Sequence, residues 1–271
     1  GYLDDIRIYN YVRTPAQIAW EYNQGASVAW YRLDECTGNT AYNAAKNANG
    51  QAIGNNGTII IGASGTQTST GSCSSGTSTQ AWNNGTNGKF NGSLNFDGTD
   101  DYVVTADNDS IDFAADQDFS VGVWFKAPLS GNPANATIVE KWNNTGGYPF
   151  AIRFLGDTND TPHRVYVARS DGTNNPIIIS NKTYNDNQWH FVTFVKNGST
   201  LYQYIDAKDV KTITDSTTGT TANSSGLGIG RRVDVANSYF KGQIDEVKIF
   251  NYALTPAQIK TEMTGGAVRF E

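Results

Sequence analysis

Short runs of alternating or continuous apolar residues, separated by Gly, Asn, Asp and Ser, recur along almost the whole chain. Their period is two rather than that of a helix, so each predicts a strand. The runs fall at 28–33, 58–61, 90–96, 102–105, 119–126, 137–141, 150–155, 164–168, 176–180, 189–195, 200–206, 210–213, 227–230 and 239–250. Asn56-Gly57, Asp97-Gly98, Asp171-Gly172 and Asn197-Gly198 punctuate them with residues that reach positive φ in tight turns. The run at 189–195 (Trp-His-Phe-Val-Thr-Phe-Val) is apolar on both faces, which predicts a central strand. Only the two ends of the chain read as helical. The pattern predicts an all-β fold, a two-sheet antiparallel sandwich with a short C-terminal helix and an N-terminal strand–helix leader.

Those two ends are copies of each other. Thirteen of the first 26 positions recur at an offset of 241, among them Asp4 and Asp245, Ile8 and Ile249, Asn10-Tyr11 and Asn251-Tyr252. The stretch from Thr14 to Ile18 is repeated unchanged from Thr255 to Ile259. Such a duplication predicts a tandem array cut out of register. Residues 1–25 then read as the tail of a preceding repeat, 26–267 as a complete domain and 268–271 as the start of a following segment. The opening Gly1-Tyr2-Leu3, without an initiator Met, is expected of a piece of a longer or processed chain. Alternation in the final strand sets Asp245, Val247 and Ile249 on one face and Ile244, Glu246, Lys248 and Phe250 on the other. After it, Thr255-Pro256-Ala257-Gln258 makes a capping box with Pro at the first helical position, and the glycines at 265 and 266 stop the helix.

Composition narrows the partners. The net charge of −6 argues against nucleic acid or an anionic membrane surface, since both are held by a basic face. Charged residues make up only 17 %, so the negative mean hydropathy of −0.46 comes from Asn, Gly, Ser and Thr. No apolar run approaches the ~18 residues of a membrane-spanning helix. Two Cys residues, Cys36 and Cys73, cannot build a zinc or CxxC redox site. In a chain of this composition, which reads as secreted, they predict a Cys36–Cys73 disulfide, the alternative being two buried thiols. The loop it closes is rich in Gly, Ser and Thr and lacks apolar residues to pin itself down.

Five segments, in order, carry a family resemblance. They are Val28-Ala29-Trp30-Tyr31-Arg32-Leu33-Asp34-Glu35, Leu94-Asn95-Phe96-Asp97-Gly98-Thr99-Asp100-Asp101-Tyr102-Val103, Phe119-Ser120-Val121-Gly122-Val123-Trp124-Phe125-Lys126, Gln188-Trp189-His190-Phe191-Val192 and Ile244-Asp245-Glu246-Val247-Lys248-Ile249. Over about residues 27–262 the chain resembles the laminin-G-like, concanavalin A-like jelly rolls of large bacterial surface proteins. The resemblance implies the fold; it leaves the function open among lectins, adhesion modules, spacers and hydrolases. It also implies a structural calcium, with Asp245 as the first ligand and Asp97, Asp100 and Asp34 completing the set with backbone carbonyls. The alternative for Asp245 is a carboxylate that accepts hydrogen bonds from backbone N–H groups.

Catalysis finds little support in the residue types. The hydrolases of this architecture carry a Glu-x-Asp-x-x-Glu strand, and Glu21, Glu35, Glu140, Glu246, Glu262 and Glu271 do not form one. His163 and His190 read as structural. For saccharide binding, which needs aromatic plates and fixed polar groups, the candidates are Trp124, Arg153, Tyr166, Tyr202 and Tyr204 on strand faces opposite the core. The competing reading is cross-strand pairing on a solvated sheet face. The expected function is a non-catalytic extracellular module of a tandem-repeat surface protein, binding glycans or other surface proteins. The alternatives are a spacer or filament subunit that associates head to tail by strand addition through residues 1–12, and a glycoside hydrolase.

Overall fold

The computed structural model describes residues 8–10, 12–13, 18, 25–47, 49–142 and 146–265. Most of the leader, the predicted strand and helix within 1–25, lies outside them, as do Asp4 and residues 266–271.

Among the described residues, fifteen strands form two stacked sheets, and all of their pairings are antiparallel. The seven-stranded sheet runs β1 (Ala29–Tyr31), β15 (Lys241–Phe250), β6 (Phe119–Lys126), β11 (His190–Asn197), β12 (Thr200–Ile205) and β13 (Asp209–Thr214). Its last member, β4 (Leu94–Asp97), pairs with the first half of β15, beside the half that takes β1. The eight-stranded sheet runs β10 (Ile177–Ile179), β9 (Val165–Ser170), β8 (Tyr148–Phe154), β7 (Ala136–Glu140), β14 (Gly228–Ile229), β5 (Tyr102–Val104), β3 (Gly57–Ile60) and β2 (Thr40–Ala41). The two-sheet sandwich predicted from periodicity is the observed architecture, and β11 is an interior strand.

Alternation decides what lies between the sheets. Phe119, Val121, Val123 and Phe125 of β6 point inward and meet Phe150, Ile152 and Phe154 of β8 in one apolar core. Phe113 stacks on Phe119 with ring centroids 4.9 Å apart, and Phe194 meets Phe119 edge to face at 5.3 Å. A second apolar cluster lies on the outer face of the seven-stranded sheet, where Trp124, Phe191, Tyr204 and Phe250 pack beneath Leu254 and Ile259.

Ile259 belongs to the C-terminal helix Pro256–Met263, labelled α2 below, and its capping box forms as the sequence predicts. Thr255 Oγ1 accepts from the Gln258 N–H, and Gln258 Oε1 accepts from the Thr255 N–H. Three short elements have no counterpart in the sequence reading: β2, the one-turn helix α1 (Ala81–Asn84) and a 3-10 turn at Asp109–Ile111. Each is too short for a hydrophobic period to show.

One register expectation is overturned. A bulge at Glu246, whose φ of 52° lies in the left-handed region, shifts the β15–β6 pairing between Asp245 and Lys248. Ile244 and Val247 are core residues, whereas Asp245 is paired with Trp124 and shares its outward face. Asp245 therefore lies on the opposite face from Val247 and Ile249.

The Cys36–Cys73 disulfide is formed, tying the chain just after β1 to the loop at 62–80.

Candidate functional site

The β4–β15 pairing places Asn95 opposite Gln243 and Asp97 opposite Lys241, while Leu94, Phe96 and Ile244 enter the core. With Lys126, Pro128 and Asn187 on one side and Thr66 and Thr99 on the other, these polar residues line a cleft of about 360 Å³. Its amide, hydroxyl, carboxylate and ammonium groups offer both donors and acceptors. Gln243 is 8 % exposed; its Nε2 donates to the Asn84 carbonyl at 2.8 Å, but its Oε1 meets no donor. A buried acceptor left unpaired costs about 1–3 kcal/mol.

One wall of the cleft is held by carboxylates. The loop at 62–67 wraps around the Asp97-Gly98-Thr99-Asp100-Asp101 turn. Thr66 and Gln67 donate their N–H groups to Asp97 Oδ2 at 2.7 and 3.0 Å, and Ser64 donates to Asp100 Oδ2 at 2.7 Å. Glycine is required for so close a wrap: a Cβ on Gly62 would stand 1.9 Å from Asp100 Cγ, and one on Gly65 would stand 2.1 Å from Asp97 Oδ2. Carboxylate oxygens of Asp97, Asp100 and Asp101 lie within 4.8 Å of one another. Burial, with the neighbouring Asp97 and Asp100 charges, pushes the Asp101 carboxyl up to about 7.

A cation fits this donor set. Asp101 is fully buried, and both its Oδ1 and that of Asp100 are enclosed without a hydrogen-bond partner. Two free hard oxygens beside a third carboxylate suit calcium. The other acidic group, Asp107, Asp109 and Asp112, does not fit: the buried Lys141 ammonium already sits 2.7 Å from both Asp107 and Asp112.

Of the four aspartates expected to share one metal, only Asp97 and Asp100 fall within the same acidic group. Asp97 and Asp100 come together, joined by Asp101, which the sequence reading did not single out. Asp34 is 3.0 Å from Arg32. Asp245 accepts on Oδ2 from the Lys89 and Phe90 N–H groups at 2.8 and 3.0 Å, and its Oδ1 has no partner. Burial pushes its carboxyl up to about 8, against the pull of those amides.

The aromatic candidates divide between the two outer faces. Trp124 is 4 % exposed, capped by the Lys89 ammonium 4.0 Å above its ring and by Phe90, so it offers no open plate. Tyr202 and Tyr204 stack on each other at 6.0 Å along the margin of the second apolar cluster. Arg153 and Tyr166 face each other on the eight-stranded sheet. There Arg153 is buried against Glu140 at 2.7 Å, and its guanidinium lies 3.9 Å from the Trp142 ring centre. Tyr148 stacks on Trp142 at 4.4 Å, and Arg232 covers it at 4.5 Å. These groups pack on one another in the cross-strand arrangement weighed against a binding role, with Arg153 Nη2 left without a hydrogen-bond partner.

His190 sits between Asp206 at 2.8 Å and Asp186 at 3.0 Å. Burial lowers its pKa, but the two carboxylates outweigh that and the net direction is upward.

The comparisons with known proteins agree with this architecture. The binding domain of Paraclostridial Mosquitocidal Protein 1 superposes with a TM-score of 0.59 at 14 % identity, covering 89 % of this chain and 52 % of that one. The receptor binding domain of botulinum neurotoxin D gives 0.57 at 13 %, covering 88 % and 52 %. The chain thus spans about half the length of these toxin domains, and the likeness is one of fold. Domain 4 of AbnA, a GH43 extracellular arabinanase from Geobacillus stearothermophilus solved with arabinotriose, gives 0.57 at 19 %, covering 88 % of this chain and 98 % of the domain. No curated protein matches the sequence significantly. A laminin-G-type sequence profile, that of the concanavalin A-like lectin/glucanases superfamily, matches residues 97–260, more than half of the chain, and the chain belongs to that superfamily.

Proposed function

We propose that this chain is a non-catalytic carbohydrate-binding module acting outside the cell, with saccharide held in the cleft between β4, β15 and the loop at 62–67. The observation that carries the reading is the cleft's polar lining, with Asn95, Asn187, Lys241 and Gln243 among it. Superfamily membership and the toxin binding domains of like fold support a binding role. The disulfide and the Asn-, Gly- and Thr-rich surface support the extracellular setting. No helix among the described residues is long and apolar enough to cross a membrane.

A glycan array run with calcium and again with EDTA tests it, with arabinotriose among the probes because a domain of like fold was solved with it. The intact protein is expected to retain a subset of glycans. Asn95→Ala, which removes one amide from the cleft, should weaken retention about tenfold. Tyr202→Ala, on β12, three strands away from β15 in the same sheet, should leave it unchanged. No retention of any glycan under either condition would favour a spacer.

Calcium at Asp100 and Asp101, beside Asp97, would cross-link the loop that carries Thr66 and so stiffen the cleft wall. The sign of the pH dependence follows from the raised carboxyls. Folded Asp101 and Asp245 hold their protons up to about 7 and about 8, whereas unfolded carboxyls release theirs near 4. Between those limits the folded state binds more protons, so stability falls as pH rises. In EDTA, the Tm is expected to drop from pH 5.5 to pH 8. With calcium near 1 mM the drop should shrink, because the ion replaces the proton on Asp101. Asp101→Asn should remove the calcium response. Identical melting curves with and without calcium at pH 8 would reject the site.

A further inference from the structure

His190 opens β11, three residues after the cleft residue Asn187, and stands between two carboxylates. Its Nδ1 is 2.8 Å from Asp206 Oδ2, just past β12, and its Nε2 is 3.0 Å from Asp186 Oδ1. An ionised carboxylate only accepts, and a neutral imidazole carries a single N–H. Both contacts are therefore hydrogen bonds only when the ring is an imidazolium; in the neutral ring, one of them sets lone pair against lone pair. The Asp206 contact is the one a neutral ring keeps. It is shorter, and the Asp206 side chain is 35 % exposed against 55 % for Asp186. Asp206 is also fixed through its other oxygen by the Phe191 N–H at 2.9 Å.

The Asp186 contact bears on the cleft through its neighbours in the chain. Residues 185–188 are Asn-Asp-Asn-Gln, with no apolar side chain to anchor them. They are zipped to the segment after β6. Asn185 Nδ2 donates to the Leu129 carbonyl at 2.9 Å, and the Asn187 N–H donates to the Ala127 carbonyl at 3.0 Å. Asn187, with a left-handed φ of 59°, lines the cleft beside Lys126 and Pro128. Asp186 Oδ1 also accepts the Gln188 N–H at 3.0 Å, so one oxygen ties this loop to itself and to His190.

We infer that His190 is a positioning residue for the cleft: its imidazolium clamps Asp186 to Asp206 and so fixes the wall that presents Asn187. Loss of that proton frees Asp186, loosens the wall and weakens sugar binding, the last step resting on the saccharide reading of the cleft. The other groups packed on the ring leave the clamp to the two carboxylates. Tyr184 meets it edge to face at 4.9 Å, with its hydroxyl donating to Asp209, whose charge Lys182 answers at 2.8 Å. Phe125 of β6 lies 5.9 Å away. Burial alone would lower the His190 pKa, but Asp206 and Asp186 raise it above the ordinary value of 6.5. The clamp is thus complete below 6.5 and opens as pH rises through the raised value.

The test follows the isotope-labelled whole chain by NMR from about pH 5.5 to about pH 9, reading the His190 ring and the Asn187 side-chain amide. The two signals are expected to titrate with one midpoint, above 6.5. His190→Gln should abolish the step at Asn187. Asp101→Asn, which removes the carboxyl that titrates behind the opposite wall, should leave it in place. With calcium present, affinity for the glycan retained most strongly on the array should fall about fivefold from pH 6 to pH 8.5 in the intact protein. In His190→Gln it should stay level. An Asn187 signal that ignores the His190 midpoint, a step that survives His190→Gln, or a level affinity in the intact protein would overturn the inference. If no glycan binds, the saccharide reading fails by itself and the Asn187 titration still decides the clamp.

Discussion

Arg153→Ala is expected to lower the stability of this domain by about 3–5 kcal/mol, because it strands a fully buried carboxylate. Glu140 is 0 % exposed, and Arg153 Nε meets its Oε2 at 2.7 Å. Burial pushes the Glu140 carboxyl up and the Arg153 charge pulls it back, with Arg232 and Thr137 helping. Without the guanidinium, only Arg232 at 3.7 Å and the Thr137 hydroxyl at 3.1 Å oppose the desolvation of the carboxylate. The Trp142 ring, held 3.9 Å from that guanidinium, would lose its support as well. Removing both partners has a different consequence: Arg153→Met with Glu140→Met replaces two buried charges by apolar groups of similar length and should come out near neutral. Chemical denaturation of the two variants separates the cases. If the single and the double variant lose the same stability, the pair is not the organising contact of that face.

The second large effect is on the disulfide. Replacing Cys36 and Cys73 together by serine opens a loop spanning 37 positions. Chain entropy alone predicts a loss of about 4 kcal/mol for a loop of this length. The loss should be local as well as global. The disulfide lies against Gly92, where a Cβ would stand 3.0 Å from Cys36 Sγ, and the segment it anchors supplies Thr66 to the cleft. We therefore expect the reduced or substituted protein to unfold at lower denaturant and to bind glycan more weakly while still folded. Unchanged affinity in the folded, disulfide-free protein would separate the loop at 62–80 from the site.

The fold was legible where hydrophobic alternation is long and unbroken. The strand predicted at 119–126 is β6 residue for residue, and the capping box beginning at Thr255 starts α2 as read. Legibility failed where one backbone angle changes the parity. Asp245 reads as sharing the Val247 face until the left-handed Glu246 moves it to the other, and no local residue signal marks that bulge because Glu is not a residue that favours positive φ. The candidate site is only half legible for a related reason. Asp97 and Asp100 are close in sequence and legible as a pair, and Asp101 joins them by burial, which sequence alone does not show. The rest of the cleft draws on positions 66, 95, 126, 187 and 243, which the topology alone brings together. The Trp124 ring and the Arg153 guanidinium are covered by Lys89 and Phe90 and by Glu140 and Trp142, so neither offers an open plate.

The most direct measurement is a titration of the isotope-labelled protein with arabinotriose or the strongest array glycan, following side-chain amide and indole N–H signals in one spectrum. Binding in the cleft predicts that the Asn95 and Gln243 amide signals move together and saturate, while the Trp124 and Trp142 indole signals stay in place. Movement of the Trp142 indole with Asn95 and Gln243 unmoved, or no movement of any signal at saturating sugar, would contradict it.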